Sequence, residues 1–228
     1  YYDAVWVYGD QQVYDPLKEY NWSSEIANLV EFTGYLDQSL RISEELPPRN
    51  DWIATLRDQY SSMFVCTLGG GKDGYALADA FIDSLQNSSV CGVLLTGPFM
   101  SRDLYESLCS RAEHLPNAYV LDFTNEADQL VRQADGIVAM AGYNTVASIL
   151  SFNKSALLVP RVYPRQEQWI RASRLAQLGL ANVVHPDSLT PSTLRSWFDS
   201  IQRDESSIST DSTECCDLGG LDRIVRLT

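Results

Sequence analysis

The stretch Met63-Phe64-Val65-Cys66-Thr67-Leu68-Gly69-Gly70-Gly71-Lys72-Asp73-Gly74 decides the fold. Its first six residues are a short, almost wholly apolar run, which suits a strand covered on both faces. Three consecutive glycines end the run. Leu77, Ala78, Phe81, Ile82 and Leu85 then fall on one stripe of a helix.

The same alternation extends outward along the chain. Apolar runs recur at Asp3–Tyr8, Cys91–Thr96, Tyr119–Phe123, Gly136–Met140, Ala156–Pro160 and Asn182–His185, and helical patterns cover roughly 101–113, 125–134, 143–152, 165–178 and 190–202. Strands alternating with helices predict an α/β fold: a Rossmann-like, doubly wound parallel sheet with right-handed crossovers on both faces. Residues 1–36 read as the end of a preceding domain and a strand, Val30–Leu36, that leads in from it. Residues 37–61 read as a linker with a short amphipathic helix, and 62–202 as the sheet domain. Residues 203–217 are Ser/Thr- and acid-rich and read as a mobile segment. Leu221, Ile224, Val225 and Leu227 restore an apolar stripe, so 218–228 reads as a closing helix that docks on a neighbouring domain. The chain opens on Tyr1 rather than Met, and an upstream portion is expected to belong with it.

Composition narrows the function classes. The 228 residues are 45% hydrophobic and 21% charged, a globular balance. Seventeen Lys+Arg against 30 Asp+Glu give a net charge of −13, a field that repels a polyanionic backbone and argues against nucleic acid as a partner. No run approaches a transmembrane length and no signal peptide opens the chain, so a cytoplasmic location is expected. Of five cysteines, Cys66 and Cys91 lie in strand runs, Cys109 in a helical pattern and Cys215–Cys216 in a polar tail, which makes no disulfide framework.

Ligands of open parallel sheets sit beyond the carboxyl ends of the strands, so three loops carry the candidate site. In the first, Gly69, Gly70 and Gly71 let the backbone approach a ligand and aim N–H groups at a phosphate, with Lys72 beside them. Gly69, Gly71 and Gly74 also match G-x-G-x-x-G. The next strand, however, ends in Leu94-Leu95-Thr96-Gly97-Pro98 without the ribose-binding acid, and Lys72-Asp73 lacks the Ser/Thr of a P-loop. A tight turn without ligand is the competing reading. The second loop is Ala141-Gly142-Tyr143-Asn144-Thr145, where Gly142 allows close approach and Asn144 or Thr145 can cap the helix over an anion-binding first turn. The third, Val159–Gln168, presents Arg161, Arg165, Glu167 and Gln168, a set suited to phosphate and sugar hydroxyls. The two histidines, His114 and His185, and the lack of a D-x-D sequence argue against a metal cage, and His185 reads as a loop residue. No G-x-S-x-G elbow or Cys–His pairing supports a hydrolase.

The order GGG-K-D-G, TGPFM, FT-x-E-A-D-x-L-x-x-x-A-D, GYNTV-x-x-ILSF, VPR-x-x-PR-x-EQ and RL-x-x-LGL, over roughly residues 30–200, resembles the C-terminal, donor-binding half of GT-B glycosyltransferases. More narrowly, it is similar to bacterial glycosyltransferases related to the family 28 enzyme MurG, the N-acetylglucosaminyltransferase of peptidoglycan synthesis. The resemblance implies a domain that binds a nucleotide-diphospho-sugar, UDP-hexose or UDP-N-acetylhexosamine, for metal-independent transfer without a cofactor. It places Gly69–Gly71 near the phosphates, Gly142, Asn144 and Thr145 at the diphosphate-binding helix start, and Glu167 and Gln168 on sugar hydroxyls. It also places Phe123 and Thr124 at the nucleotide base. Lys72 or Arg165 would stabilise the leaving diphosphate. The acceptor is not named by these residues, and the resemblance puts both its domain and the catalytic base outside this chain. One position departs from the family pattern: the family has Glu six residues after the loop Gly, on the ribose diol, and here that residue is Ser148. A single hydroxyl grips a diol less well than a carboxylate, so Ser148→Glu is expected to tighten donor binding. A nucleotide-sugar 2-epimerase and a non-catalytic nucleotide-sugar-binding subunit are the alternative readings.

Overall fold

The computed structural model describes residues 2–42, 52–204 and 215–228. Strands β1 (Val5–Tyr8) and β2 (Val30–Gly34) form a small parallel pair, with the short helices α1 (Pro16–Glu19) and α2 (Ser24–Ala27) between them. After α3 (Trp52–Gln59) the chain alternates regularly through β3 (Met63–Thr67), α4 (Tyr75–Ser84), β4 (Cys91–Leu95), α5 (Arg102–Ala112), β5 (Ala118–Leu121) and α6 (Ala127–Gln133). The second half continues with β6 (Gly136–Ala139), α7 (Tyr143–Ser151), β7 (Ala156–Leu158), α8 (Glu167–Gln177), β8 (Asn182–Val183) and α9 (Pro191–Gln202). A last helix, α10, spans Gly220–Leu227.

Strands β3 to β8 make one parallel sheet in the order β5-β4-β3-β6-β7-β8. β3, β4, β6 and β7 are buried on both faces, which is why they read as unbroken apolar runs rather than alternating ones. Side chains on one face, such as Met63, Val65, Ile137 and Ala139, pack with α3, α6, α7 and α8. Those on the other, such as Phe64, Cys66 and Val138, pack with α4, α5 and α9, where Phe64 and Phe198 lie 4.3 Å apart. Asp135 sets the start of β3: its carboxylate accepts the Met63 N–H at 2.7 Å and pairs with Arg57.

The strand in the run Asp3–Tyr8 pairs with β2 in a sheet of its own; an apolar run carries no record of its partner. One expectation is corrected. Cys215–Cys216 is not a polar tail, since Cys216 is buried in the core and the Asp217 carbonyl accepts the Tyr35 N–H at 2.7 Å. The segment 203–217 read as mobile falls mostly outside the described residues, and its described C-terminal end is packed. Helix α10 lies on β2 through the Gly220 N–H to Tyr35 carbonyl bond at 3.0 Å and Arg223 to the Phe32 carbonyl at 3.2 Å, while Leu221 and Val225 stay exposed. The small sheet in turn docks on α7. Tyr35 stacks on Tyr143 at 5.4 Å, and the Tyr143 hydroxyl, its pKa raised chiefly by burial, accepts the Leu36 N–H at 3.2 Å. No helix among the described residues is long and apolar enough to cross a membrane.

Candidate functional site

β3 and β6 are neighbours, yet the helices that follow them leave on opposite faces of the sheet, α4 on one and α7 on the other. The chain parts there and leaves a crevice at the carboxyl ends of the strands, the place where open sheets of this kind bind ligands. Two glycine-bearing loops form its walls, and they are built differently.

The loop after β3 folds back on the loop after β4. Gly71 has φ +83°, and a Cβ there would lie 2.1 Å from the Thr96 carbonyl oxygen, so both the dihedral and the backbone contact require glycine. Gly70 accepts the Phe99 N–H at 2.8 Å. Lys72 and Asp73 stand exposed in this turn, and Gly74 caps α4 without a side-chain hydrogen bond.

The loop after β6 leaves its glycine free. Gly142 has φ −69° as the N-cap of α7, and a Cβ there would meet nothing within 4 Å. Neither Asn144 nor Thr145 caps the helix as expected from the sequence: they lie inside its first turn, and the N-cap makes no side-chain hydrogen bond. The preceding carbonyl, of Ala141, accepts from Arg171 Nη1 at 2.9 Å. In a trans peptide the C=O and N–H point in opposite directions, so this bond turns the Gly142 N–H away from Arg171. The N–H groups of Tyr143, Asn144 and Thr145 follow it in the helix's first turn, which has no intrahelical acceptors.

Arg171 also organises the third segment. Its Nη2 donates to Glu167 Oε1 at 2.6 Å, and its side chain is 6% exposed against 40% for Glu167. The guanidinium is covered by the Tyr14 ring, 5.3 Å from its centroid. Glu167 is thereby held through one carboxylate oxygen. Gln168 Oε1 accepts the Arg161 N–H at 3.1 Å, which leaves its NH2 group as a donor. Arg165 is exposed, and Arg161 pairs with Asp73 at 2.7 Å.

Residues 82–217 match the glycosyltransferase family 28 C-terminal domain. The chain belongs to that family. It is 25% identical over 155 residues to a UDP-N-acetylglucosamine–N-acetylmuramyl-(pentapeptide) pyrophosphoryl-undecaprenol N-acetylglucosamine transferase of Leuconostoc citreum, covering 66% of this chain and 42% of that protein. A transferase of the same name from Sulfurihydrogenibium sp. is 21% identical over 182 residues, 77% of this chain and 50% of that protein. Among solved structures, MurG of Acinetobacter baumannii aligns with a TM-score of 0.65 at 16% identity, over 99% of this chain and 74% of that one. Glycosyltransferase VinC in complex with dTDP aligns with a TM-score of 0.54 at 22% identity, over 78% and 41%. These structural likenesses establish the GT-B type of fold, and the chain spans about half or less of the length of these transferase sequences. The family 28 match takes in the loop after β6, α7 and the whole of α8, and leaves out Gly69–Lys72.

The remaining residues of the expected family 28 site lie along the sheet edge rather than in one cluster. Phe123, 64% exposed, and Thr124 follow β5, two strands or about 10 Å from β3. The Thr124 hydroxyl accepts the Glu126 N–H at 3.0 Å ahead of α6. The Ser148 hydroxyl donates to Asp128 Oδ1 at 3.2 Å, so a carboxylate stands beside this position after all, delivered by α6 rather than by α7. Its presence was not visible at residue 148. Arg171 also went unnoticed, although its i,i+4 spacing from Glu167 is the signature of an ion pair. His185 accepts the Asp187 N–H at 3.3 Å and meets the Trp169 ring edge-on, in a turn after β8. Burial pushes the thiols of Cys66, Cys91 and Cys216 up, the last two to about 12, so none of the three offers a ready thiolate.

Proposed function

We propose that this family 28 domain binds a nucleotide-diphospho-sugar, UDP-hexose or UDP-N-acetylhexosamine, and presents it for metal-independent hexosyl transfer to an acceptor held by a separate domain. The observation that carries the reading is the loop after β6. There an unoccupied glycine opens α7, the preceding carbonyl is pinned by a buried arginine, and the same arginine fixes the carboxylate of Glu167 beside it. The Gly142–Thr145 N–H groups take the diphosphate, and Glu167 with Gln168 take hydroxyls of the sugar. Ser148 and Asp128 face the ribose, and Phe123 with Thr124 meet the base at the end of β5, three strands or about 14 Å along the sheet edge from β6. Charge develops on the diphosphate as the glycosidic bond breaks, and preorganised N–H dipoles with Lys72 and Arg165 stabilise it without reorganising. The base that deprotonates the acceptor belongs to the acceptor side of the cleft.

The relatives' names, which specify UDP-N-acetylglucosamine, favour a uridine nucleotide. Isothermal titration with UDP, GDP, dTDP and their common sugar conjugates, in EDTA, tests the reading. One nucleotide is expected to bind and one of its sugar conjugates to bind more tightly. Absence of binding by all of them, with the protein folded, overturns it.

A further inference from the structure

Asp73 and Arg161 sit on loops that leave the sheet on opposite faces, Asp73 ahead of α4 and Arg161 between β7 and α8. β6 lies between β3 and β7, so their ion pair, 2.7 Å from Nη1 to Oδ2, spans about 10 Å of sheet edge across the mouth of the crevice. The Arg161 backbone is anchored by Gln168, so only its side chain has to move for the pair to open. Its guanidinium is half used: Nη1 meets Asp73, while Nε is out of solvent and has no hydrogen-bond partner among the described residues. A guanidinium fork is built to hold two oxygens side by side, and a diphosphate offers more charge and more acceptor oxygens than one carboxylate.

We propose that Arg161 is a diphosphate-binding residue of this crevice and that Asp73 is a built-in anion it releases when the ligand enters. The inference rests on the donor reading above. The pair is partly solvated, with side chains 36% and 47% exposed. Ion pairs of that kind are weak, so a ligand displaces this one at small cost. Removing Asp73 should therefore strengthen diphosphate binding, whereas a purely structural strap would have the opposite sign.

The test is titration of UDP, GDP and dTDP into the protein, with the tightest of them and its nucleoside then titrated into Asp73→Asn and Arg161→Gln. Asp73→Asn is expected to bind the diphosphate two- to fivefold more tightly, and Arg161→Gln at least tenfold more weakly, with the nucleoside unchanged in both. Arg161→Lys, which keeps the charge without the fork, replaces the Gln variant if the latter lowers the unfolding midpoint, and should fall between it and the parent. Weaker or unchanged binding by Asp73→Asn, or unchanged binding by the Arg161 variants, overturns the assignment while leaving the donor reading in place. Failure of the unaltered protein to bind any of the three diphosphates overturns this assignment, and failure to bind their sugar conjugates as well overturns both.

Discussion

The loops after β3 and after β6 face each other across one crevice, and both carry glycine between a strand and a helix. In the first, Gly71 is required by the fold, because its backbone lies against the Thr96 carbonyl. In the second, Gly142 has an ordinary helix-cap conformation and empty space where a side chain would go. A glycine that the protein's own packing requires says little about a ligand. One that it does not require, next to a first helical turn and a carbonyl held by a buried arginine, marks where something else comes close. Gly71 is thus a scaffold position, whereas Gly142, which neither dihedral nor packing requires to be glycine, is the better pointer to the site.

Substitutions can break or sharpen that contrast. The largest effect is expected at Gly71→Ala, where a positive φ and a backbone collision combine to cost about 3 kcal/mol, read as a lower denaturant midpoint. Arg171→Met removes both the Ala141 and the Glu167 bonds. Binding of the preferred nucleotide sugar should fall ten- to a hundredfold, about 1.4 to 2.8 kcal/mol, with partial rescue by Arg171→Lys. Gly142→Ala should weaken binding about tenfold in the same titration while leaving the unfolding free energy within about 0.5 kcal/mol. If it instead destabilises the fold as Gly71→Ala does, the two loops are alike and the contrast is lost. Smallest is Ser148→Glu, which on the sequence alone should tighten binding. In the structure the new carboxylate would meet Asp128, so the single change is expected to alter affinity less than about twofold, and a clear gain should appear only with Asp128→Asn added.

The pattern of the fold was legible because strands buried on both faces read as unbroken apolar runs, and the helices between them carry clear stripes. The separate pairing of β1 with β2 was not legible, since strand periodicity records which faces are buried and not which strand lies alongside. The site was legible at the level of loops and less so at the level of atoms. Gly71 and Gly142 look alike in sequence and differ only in what stands within a few ångströms. The Asp73–Arg161 pair joins residues 88 positions apart, and Asp128 reaches Ser148 from another helix. Such contacts are made by topology, and local spacing carries no trace of them. Arg171 is intermediate: its spacing from Glu167 suggests an ion pair on a solvated helix face, whereas its burial and its hold on the Ala141 carbonyl depend on tertiary packing.

Backbone amide chemical shifts followed by NMR during titration with UDP, or with GDP or dTDP if either binds more tightly, test the central claim most directly. The account predicts that the largest changes fall on the N–H groups of Gly142, Tyr143, Asn144 and Thr145. Changes confined to Gly69–Gly74, with residues 142–145 unmoved, would contradict it.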